Sequence, residues 1–467
     1  MPPTRDLDDI RNGDVSWWWR SAGGTPAPRP PLNGDLQADV AIVGAGYTGL
    51  WTAYYLKRAQ PDLRVVVLEQ RFAGFGASGR NGGWLTNTVT GGRDAFAASR
   101  GRDAAIAQQR ALNQTVDEVI GVAQREGIEA DIAKGGELNV ARSAAQLARL
   151  RAAVAHDRSW PHTDIEEWDA AATASRLRID GALGAAWHPH CARVHPVKLA
   201  AGLAEAVERL GVTVFEDTRV TEITPGRAVT DRGTVRAAHV LRATEGFTPD
   251  LRGHHRAVLP MNSSMIVTDP IPAAVWERIG WEGRETLGDF AHVYMYAQRT
   301  ADDRIAFGGR GVPYRYGSRV DTDGRTQERT ISSLTRLLRR FFPDAADVPI
   351  AHAWAGVLGV PRDWTASVAH DPATGLGWAG GYVGTGVTAT NLAGRTLADL
   401  VLARDTELTR LPWVGHHARR WEVEPLRWVA VHAIYTAYRV ADRVEDARSS
   451  PRTAWPAHVA GWVAGRH

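Results

Sequence analysis

Two apolar runs separated by a glycine turn dominate the first hundred residues. Ala38-Asp39-Val40-Ala41-Ile42-Val43 reads as a buried strand, and Gly44-Ala45-Gly46-Tyr47-Thr48-Gly49 as a turn that enters a helix. Val65-Val66-Val67-Leu68 reads as a second strand with Glu69 at its tip. From about residue 93 to 180 the chain is rich in alanine, arginine and leucine at helical spacing (Leu147, Leu150, Val154), broken at Lys134-Gly135-Gly136. Leu199, Leu203, Val207 and Leu210 predict a helix over 197–210, followed through Gly211 by a strand at 212–215. Short strands are predicted at 219–223, 228–230, 235–237 and 238–243, and alternation predicts others at 264–268, 293–296 and 304–307. A glycine-rich α/β pattern returns at 375–402, with a helix over 391–402, and the tail beyond Leu411 reads as helical.

The chain has 467 residues, 44% of them hydrophobic, enough for two or three domains with a large core. A formal charge of +3 gives no electrostatic case for nucleic acid or for an acidic membrane surface. Only Lys57, Lys134 and Lys198 among the 55 basic residues are lysines, so arginine clusters reflect a composition bias before they reflect a site. The single cysteine excludes an intrachain disulfide framework and fits a reducing compartment. The N-terminus (Arg5-Asp6-Leu7-Asp8-Asp9) has no apolar core of a signal peptide, and no apolar run is long enough to span a bilayer. These features predict a cytoplasmic protein. The proline-rich first 37 residues carry Trp17-Trp18-Trp19, three indoles that cannot share one helix face; some must pack on the body of the protein.

The chemistry begins at the first glycine turn. Gly44 makes the tight turn, Gly46 lets backbone approach a pyrophosphate, and Gly49 lets the helix pack close to the strand. Glu69, with Gln70 after it, lies where an acid accepts hydrogen bonds from an adenosine ribose, and its charge disfavours a 2′-phosphate. A second loop, Phe75-Gly76-Ala77-Ser78-Gly79-Arg80-Asn81-Gly82-Gly83, offers backbone N–H groups, a hydroxyl and a cation to a diphosphate. A nicotinamide enzyme does not need that second loop; a flavin dinucleotide lying along a domain junction benefits from it. Downstream, Gly384-Thr385-Gly386-Val387-Thr388 leads into a helix whose first N–H groups can stabilise negative charge on a reduced flavin.

These three blocks, in this order and at these separations, resemble the FAD-dependent amine and amino-acid oxidoreductases of the D-amino-acid oxidase superfamily. The likeness is to the bacterial branch typified by γ-glutamylputrescine oxidoreductase and by glycine and sarcosine oxidase relatives. It runs from about residue 14 to 440, with further support at Val194-His195-Pro196, 216–220, Ala243-Thr244-Glu245-Gly246 and Phe307-Gly308-Gly309-Arg310. The resemblance implies an α/β fold: a discontinuous Rossmann-like FAD-binding domain (38–93, 190–250 and 350–410) and an α+β substrate domain on an antiparallel sheet (94–189 and 251–349). An N-terminal arm (1–37) and a helical C-terminal segment (411–467) complete it. It also implies that Gly44, Ala45, Gly46, Tyr47, Thr48 and Gly49 hold the pyrophosphate, and Glu69 and Gln70 the ribose. Gly76, Ala77, Ser78, Arg80, Asn81, Gly82 and Gly83 would follow the pyrophosphate and flavin edge, Val220 would meet the adenine through its backbone, and residues 384–388 would face the pyrimidine end of the flavin.

Departures from the family pattern narrow the expectation. No cysteine lies beside Trp354-Ala355-Gly356 and no histidine within 70–83, the places where relatives attach flavin, so FAD is expected to be non-covalent. No lysine follows Lys198, so the oxygen-activating lysine of the family is missing; Arg310 supplies charge there but cannot share a proton as an ammonium does. The electron acceptor is therefore dioxygen or another acceptor. Thr388 replaces the lysine that holds substrate carboxylate in sarcosine-type enzymes.

The expected reaction oxidises a primary or secondary amine, or an amino acid, by hydride transfer to flavin N5, the imine then hydrolysing to an aldehyde or keto acid. An FAD-dependent dehydrogenase of a hydroxy acid or a biosynthetic intermediate is the alternative, and a non-catalytic flavin-binding subunit the remote one. Candidate pocket residues are His292, Tyr294, Tyr296, Arg310, His352 and Trp354, with Arg310 as an anion clamp or a strand tie and His352 as a base or a core histidine. Tyr294 and Tyr296, two residues apart on one strand face, either wall the pocket or pack the sheet. His188, His190, Cys191 and His195 lie close together, but their spacing matches no common zinc pattern, and no metal is expected.

Overall fold

Val40, Ile42, Val65 and Val67 bury one side of their strands, and Ala41, Val43, Val66 and Leu68 bury the other, as strands covered on both faces do. They form the centre of a parallel sheet. In the computed structural model, which describes residues 10–88, 90–448 and 450–464, this sheet runs Thr213–Phe215, Val65–Leu68, Leu36–Val43, Thr234–Arg242 and Leu376–Gly380, all parallel. The acidic residues 5–9 lie outside the described residues. An antiparallel meander (Val220–Thr224, Arg227–Thr230) joins the Thr234–Arg242 strand, and Ser367–Asp371 pairs with Leu376–Gly380. Thr234–Arg242 is one continuous strand where two short ones were expected, because Ala237 and His239 both pair with the Leu36–Val43 strand. Helices Tyr47–Ala59, Pro196–Arg209 and Gly386–Val401 cover one face through Leu50, Leu203 and Leu392. The last of them starts five residues before the expected 391.

The second sheet has nine strands, in the order Arg11–Asn12, Ile350–Val360, Leu259–Thr268, Ile305–Gly309, Met295–Arg299, Thr286–Asp289, Glu137–Ala141, Gly184–His188 and Glu166–Asp169. Its pairings are antiparallel except at two places. Glu137–Ala141 runs parallel to Thr286–Asp289, and Arg11–Asn12 parallel to Ile350–Val360. Glu137–Ala141 and Glu166–Asp169 are strands within a region that reads as helical. Ile350–Val360 pairs along its length with Leu259–Thr268. Sheet pairing thus puts this segment with 251–349, and the chain rejoins the parallel sheet only at Ser367–Asp371; a segment apolar but for His352 does not reveal which of two sheets it enters.

The arm adds an edge strand to the nine-stranded sheet and then a five-residue helix, Trp17–Ser21, capped by the Ser16 hydroxyl. All three indoles are buried, not only some of them. Trp17 and Trp18 meet at 4.8 Å, Trp18 lies 6.1 Å from Trp354, and Trp19 lies 5.0 Å from Phe72. The exposed side of this short helix is left to Arg20 and Ser21. At the other end, Leu426–Arg448 and Trp455–Ala464 are helical and pack together through Tyr438, Ala441, Ala457 and Ala460. Among the described residues no helix is long and apolar enough to cross a membrane.

Candidate active site

At the tip of the parallel sheet the first glycine turn folds as its residue types demand. Gly44 has φ +106, and a Cβ there would approach the Ala243 carbonyl oxygen to 2.6 Å. A Cβ on Gly49 would overlap the Gly44 carbonyl oxygen. Glu69 reaches back to the turn: its carboxylate accepts the Ala45 N–H at 2.8 Å and the Arg71 N–H at 3.0 Å. Burial pushes its carboxyl above the ordinary range. The Ser78 hydroxyl accepts the Tyr47 N–H at 2.8 Å, which seats the second loop on the helix start.

A cleft opens over these groups. Gly44, Gly46, Tyr47, Thr48, Glu69, Gln70, Gly76, Ala77, Ser78, Asn81, Val220, Gly384, Gly386 and Val387 all line it. The turn, the loop and the downstream helix start, more than 300 residues apart in sequence, thus converge on one groove. Glu245 lines it too and accepts the Gly381 N–H at 2.9 Å, with its carboxyl raised to about 7 by burial.

The second loop is held from both sides. Asn81 donates to the Ala77 and Ser78 carbonyls and accepts the Gly83 N–H at 2.7 Å. Gln298 donates to the Gly82 carbonyl at 2.7 Å, and Trp18 donates its indole N–H to the Asn81 carbonyl at 2.9 Å. Gly83, at φ +69, has no space for a side chain between Gln298 and the Val194 carbonyl. Arg80 does not serve as a diphosphate cation here. Its guanidinium donates to the carbonyls of Phe75, Asp321, Ala355 and Thr322 and stacks 4.5 Å over the Phe75 ring. Burial lowers its pKa to about 10. It is a loop-closing arginine, because a buried guanidinium with no carboxylate partner takes whatever oxygens surround it.

The cleft continues into a cavity of about 280 Å³ lined from the nine-stranded sheet, and Ala77, Asn81, Leu358, Gly384 and Val387 line both spaces. Thr385, Gly82, Tyr294 and Tyr296 line the cavity as expected residues. Tyr296 lies over Gly82 and Gly308, where a Cβ on either would strike its ring, and it hydrogen-bonds Ser263 at 2.8 Å. Burial pushes its phenol up to about 12, so it stays protonated. Glu137, Asn139, Asp289, Trp84 and Thr86 complete the polar lining, none of them anticipated. Their signal was present: Glu137-Leu138-Asn139-Val140 alternates polar and apolar with the period of a strand.

Other expected residues lie outside the cavity. His352 is buried, with Nε2 hydrogen-bonded to the Gly13 carbonyl at 2.9 Å, and burial lowers its pKa to about 4. It ties the arm to the sheet and does not reach the substrate space, because the Arg11–Asn12 strand pairs beside it. Arg310 lies behind Tyr294, 3.4 Å from its hydroxyl, with its guanidinium 5.9 Å from the Tyr435 ring. Thr388 is fully buried at the helix start, with Oγ1 lacking a hydrogen-bond partner among the described residues. The four expected metal-like groups go separate ways: His188 faces Glu137 and His190 faces Asp164. Cys191 meets Thr286, and His195 caps the Pro196–Arg209 helix.

The glycine cradle, the acid at the strand tip and the orphaned Thr388 hydroxyl fit a dinucleotide flavin. Comparison with known proteins decides the family. Residues 39–400 match the model of the family described as FAD dependent oxidoreductase. The chain belongs to that family. Like its other members, this oxidoreductase is an FAD enzyme. Gamma-glutamylputrescine oxidoreductase of Escherichia coli is 31% identical over 397 residues, 83% of this chain and 89% of that protein. Glycine oxidase of Geobacillus kaustophilus is 25% identical, over 80% of this chain and 96% of that one. The crystal structure of that Geobacillus enzyme superposes with a TM-score of 0.68 at 21% identity, covering 82% and 99% of the two chains, and so shares the fold.

Proposed function

We propose that this FAD oxidoreductase oxidises an amine, with the cleft holding FAD non-covalently and the cavity holding the substrate. The observation that supports this most is the continuity of the two spaces through Ala77, Asn81, Leu358, Gly384 and Val387. It brings a substrate cavity with two carboxylates to the inner end of the flavin cleft. A bound flavin would supply a two-electron acceptor for the hydride of the C–H bond next to nitrogen, and water would convert the resulting iminium to a carbonyl compound and free amine or ammonia. The chain's own work is to orient that carbon, exclude water and remove the ammonium proton beforehand. Tyr296, held by Ser263, and the Gly384–Val387 backbone form the walls that fix the approach.

Asp289 suits the proton-accepting task. Burial raises its carboxyl to about 7 despite hydrogen bonds from the Met295 and Ala291 N–H groups, while Asp442 and Arg142 act on it with opposite signs. Below that pH it is protonated and cannot accept; above it, it can. Flavin reduction by an amine should therefore rise with pH through a step near 7 that Asp289→Asn removes, leaving only the slope of the amine itself. The same raised pKa contributes stability that is complete in acid and is lost as pH climbs through about 7.

Anaerobic mixing of the holoenzyme with amines and with hydroxy acids tests the reading. Bleaching of the flavin band by amines supports it; bleaching by hydroxy acids alone replaces it with the alternative dehydrogenase. Reoxidation by dioxygen compared with an artificial dye then identifies the acceptor, and the absence of lysine after Lys198 favours the dye.

A further inference from the structure

The charged residues lining the substrate cavity are Arg80, Glu137 and Asp289. Arg80 has its guanidinium committed to the four backbone carbonyls already named, so no lining cation among the described residues is free to receive a substrate carboxylate. Glu137 is different. One carboxylate oxygen accepts the Thr86 hydroxyl at 2.6 Å, with His188 Nε2 at 3.6 Å from the same oxygen, and the other accepts the Asn139 amide at 2.9 Å. A carboxylate has about four acceptor positions, so these three neighbours leave room for a further donor.

We propose that the cavity selects a diamine, an unbranched alkyl chain whose second ammonium is held by Glu137 while the first nitrogen is oxidised. The proposal rests on the amine-oxidising reading and adds to it the class of amine. Its logic is a matter of sign. A carboxylate whose pKa stays low, unlike that of Asp289, cannot take the proton of the reacting nitrogen and would only stabilise its ammonium form, which cannot give up a hydride. Glu137 therefore serves a nitrogen that does not react. Burial alone would raise its carboxyl, but the His188, Thr86 and Asn139 contacts outweigh that and hold it below the ordinary range. Its lowered pKa keeps it an anion through the neutral range.

The rest of the lining matches such a chain. Trp84 and Tyr296 stand edge to face with ring centres 6.4 Å apart, and Tyr294 lies beside them, so aromatic faces border the path of a cation. Leu358 and Val387 supply apolar surface for the methylenes. Gly288 keeps this corner open. A side chain there would overlap the Asn139 amide oxygen and press Trp84 at 3.2 Å, displacing the group that orients Glu137. Arg310 offers the contrary outcome, since from behind Tyr294 it would favour an amine with an anionic tail.

The test is anaerobic rapid mixing of the wild-type holoenzyme with 1,4-diaminobutane, butylamine, N-acetyl-1,4-diaminobutane and 5-aminopentanoate, following flavin reduction. A charge-assisted hydrogen bond in a confined site predicts half-saturation by the diamine at a concentration at least about tenfold lower than by butylamine. The acetylated and anionic amines should show no such advantage. Glu137→Gln should bring the diamine and butylamine to within a factor of about two of each other. Its flavin spectrum reports whether it assembles, and if it does not, the wild-type ratio decides alone. Equal half-saturation by diamine and butylamine, a preference for 5-aminopentanoate, or a diamine preference that survives in Glu137→Gln would each overturn the proposal while leaving amine oxidation standing. Failure of every amine to bleach the flavin would remove both.

Discussion

A Gly49→Ala variant should leave purification without flavin. The added methyl would overlap the Gly44 carbonyl oxygen, and Gly44 has nowhere to retreat. Its N–H is bonded to the Leu68 carbonyl at 2.8 Å, and its α-carbon faces the Ala243 carbonyl from the other side. The helix start must move away from the strand, taking with it the N–H groups that meet a pyrophosphate. Overpacking against backbone costs about 3 kcal/mol, which corresponds to at least ~100-fold in FAD affinity. Titration of the variant with FAD, followed by protein fluorescence, measures this. Its circular dichroism should stay close to wild type, because the nine-stranded sheet does not depend on the turn. Retention of flavin at wild-type affinity would show that the turn does not hold the cofactor.

The second large effect is expected far from the cleft in sequence, at Trp18. Its side chain is 1% exposed, touches Trp17, Trp354 and His195, and donates to the Asn81 carbonyl within the flavin loop. Trp18→Ala removes that packing and should cost about 3–5 kcal/mol. Trp18→Phe keeps much of the packing and loses the hydrogen bond, at about 1 kcal/mol. Thermal melting of the two holoproteins should fall in that order, and FAD should be released faster from the alanine variant. Equal melting of both would mean that the arm merely lies on the surface of the loop.

That coupling explains part of what the sequence conceals. The glycine turn, the acid at the strand tip, the second loop and the late helix start were all legible, because each imposes local backbone requirements that only certain residues meet. The destination of the three indoles was half legible: the pattern required burial, but the groove that accepts all three is made of segments hundreds of residues away. Arg80 misled because a cation in a glycine-rich loop reads as a diphosphate partner, yet its guanidinium bonds four carbonyls. His352, open between a base and a core histidine in the sequence, bonds the Gly13 carbonyl in the core. Glu137 was missed because its strand occupies a stretch whose alanine and leucine content reads as helix, and Asp289 because a pairing of residues 137–140 with 286–289 leaves no mark in either segment alone. Tyr294 and Tyr296 both line the cavity, although the strand begins only at Met295, so Tyr294 stands at its entry and not within the alternation.

The central claim is that two distant glycine-rich turns and Glu69 close on one molecule of FAD without a covalent bond. Denaturing the purified protein and assaying flavin in the supernatant and on the chain tests it most directly. One FAD per chain, all of it released and intact with its adenine half, is the predicted result. A colourless protein that takes up no FAD, a flavin without adenine, or flavin that stays on the denatured chain would contradict it.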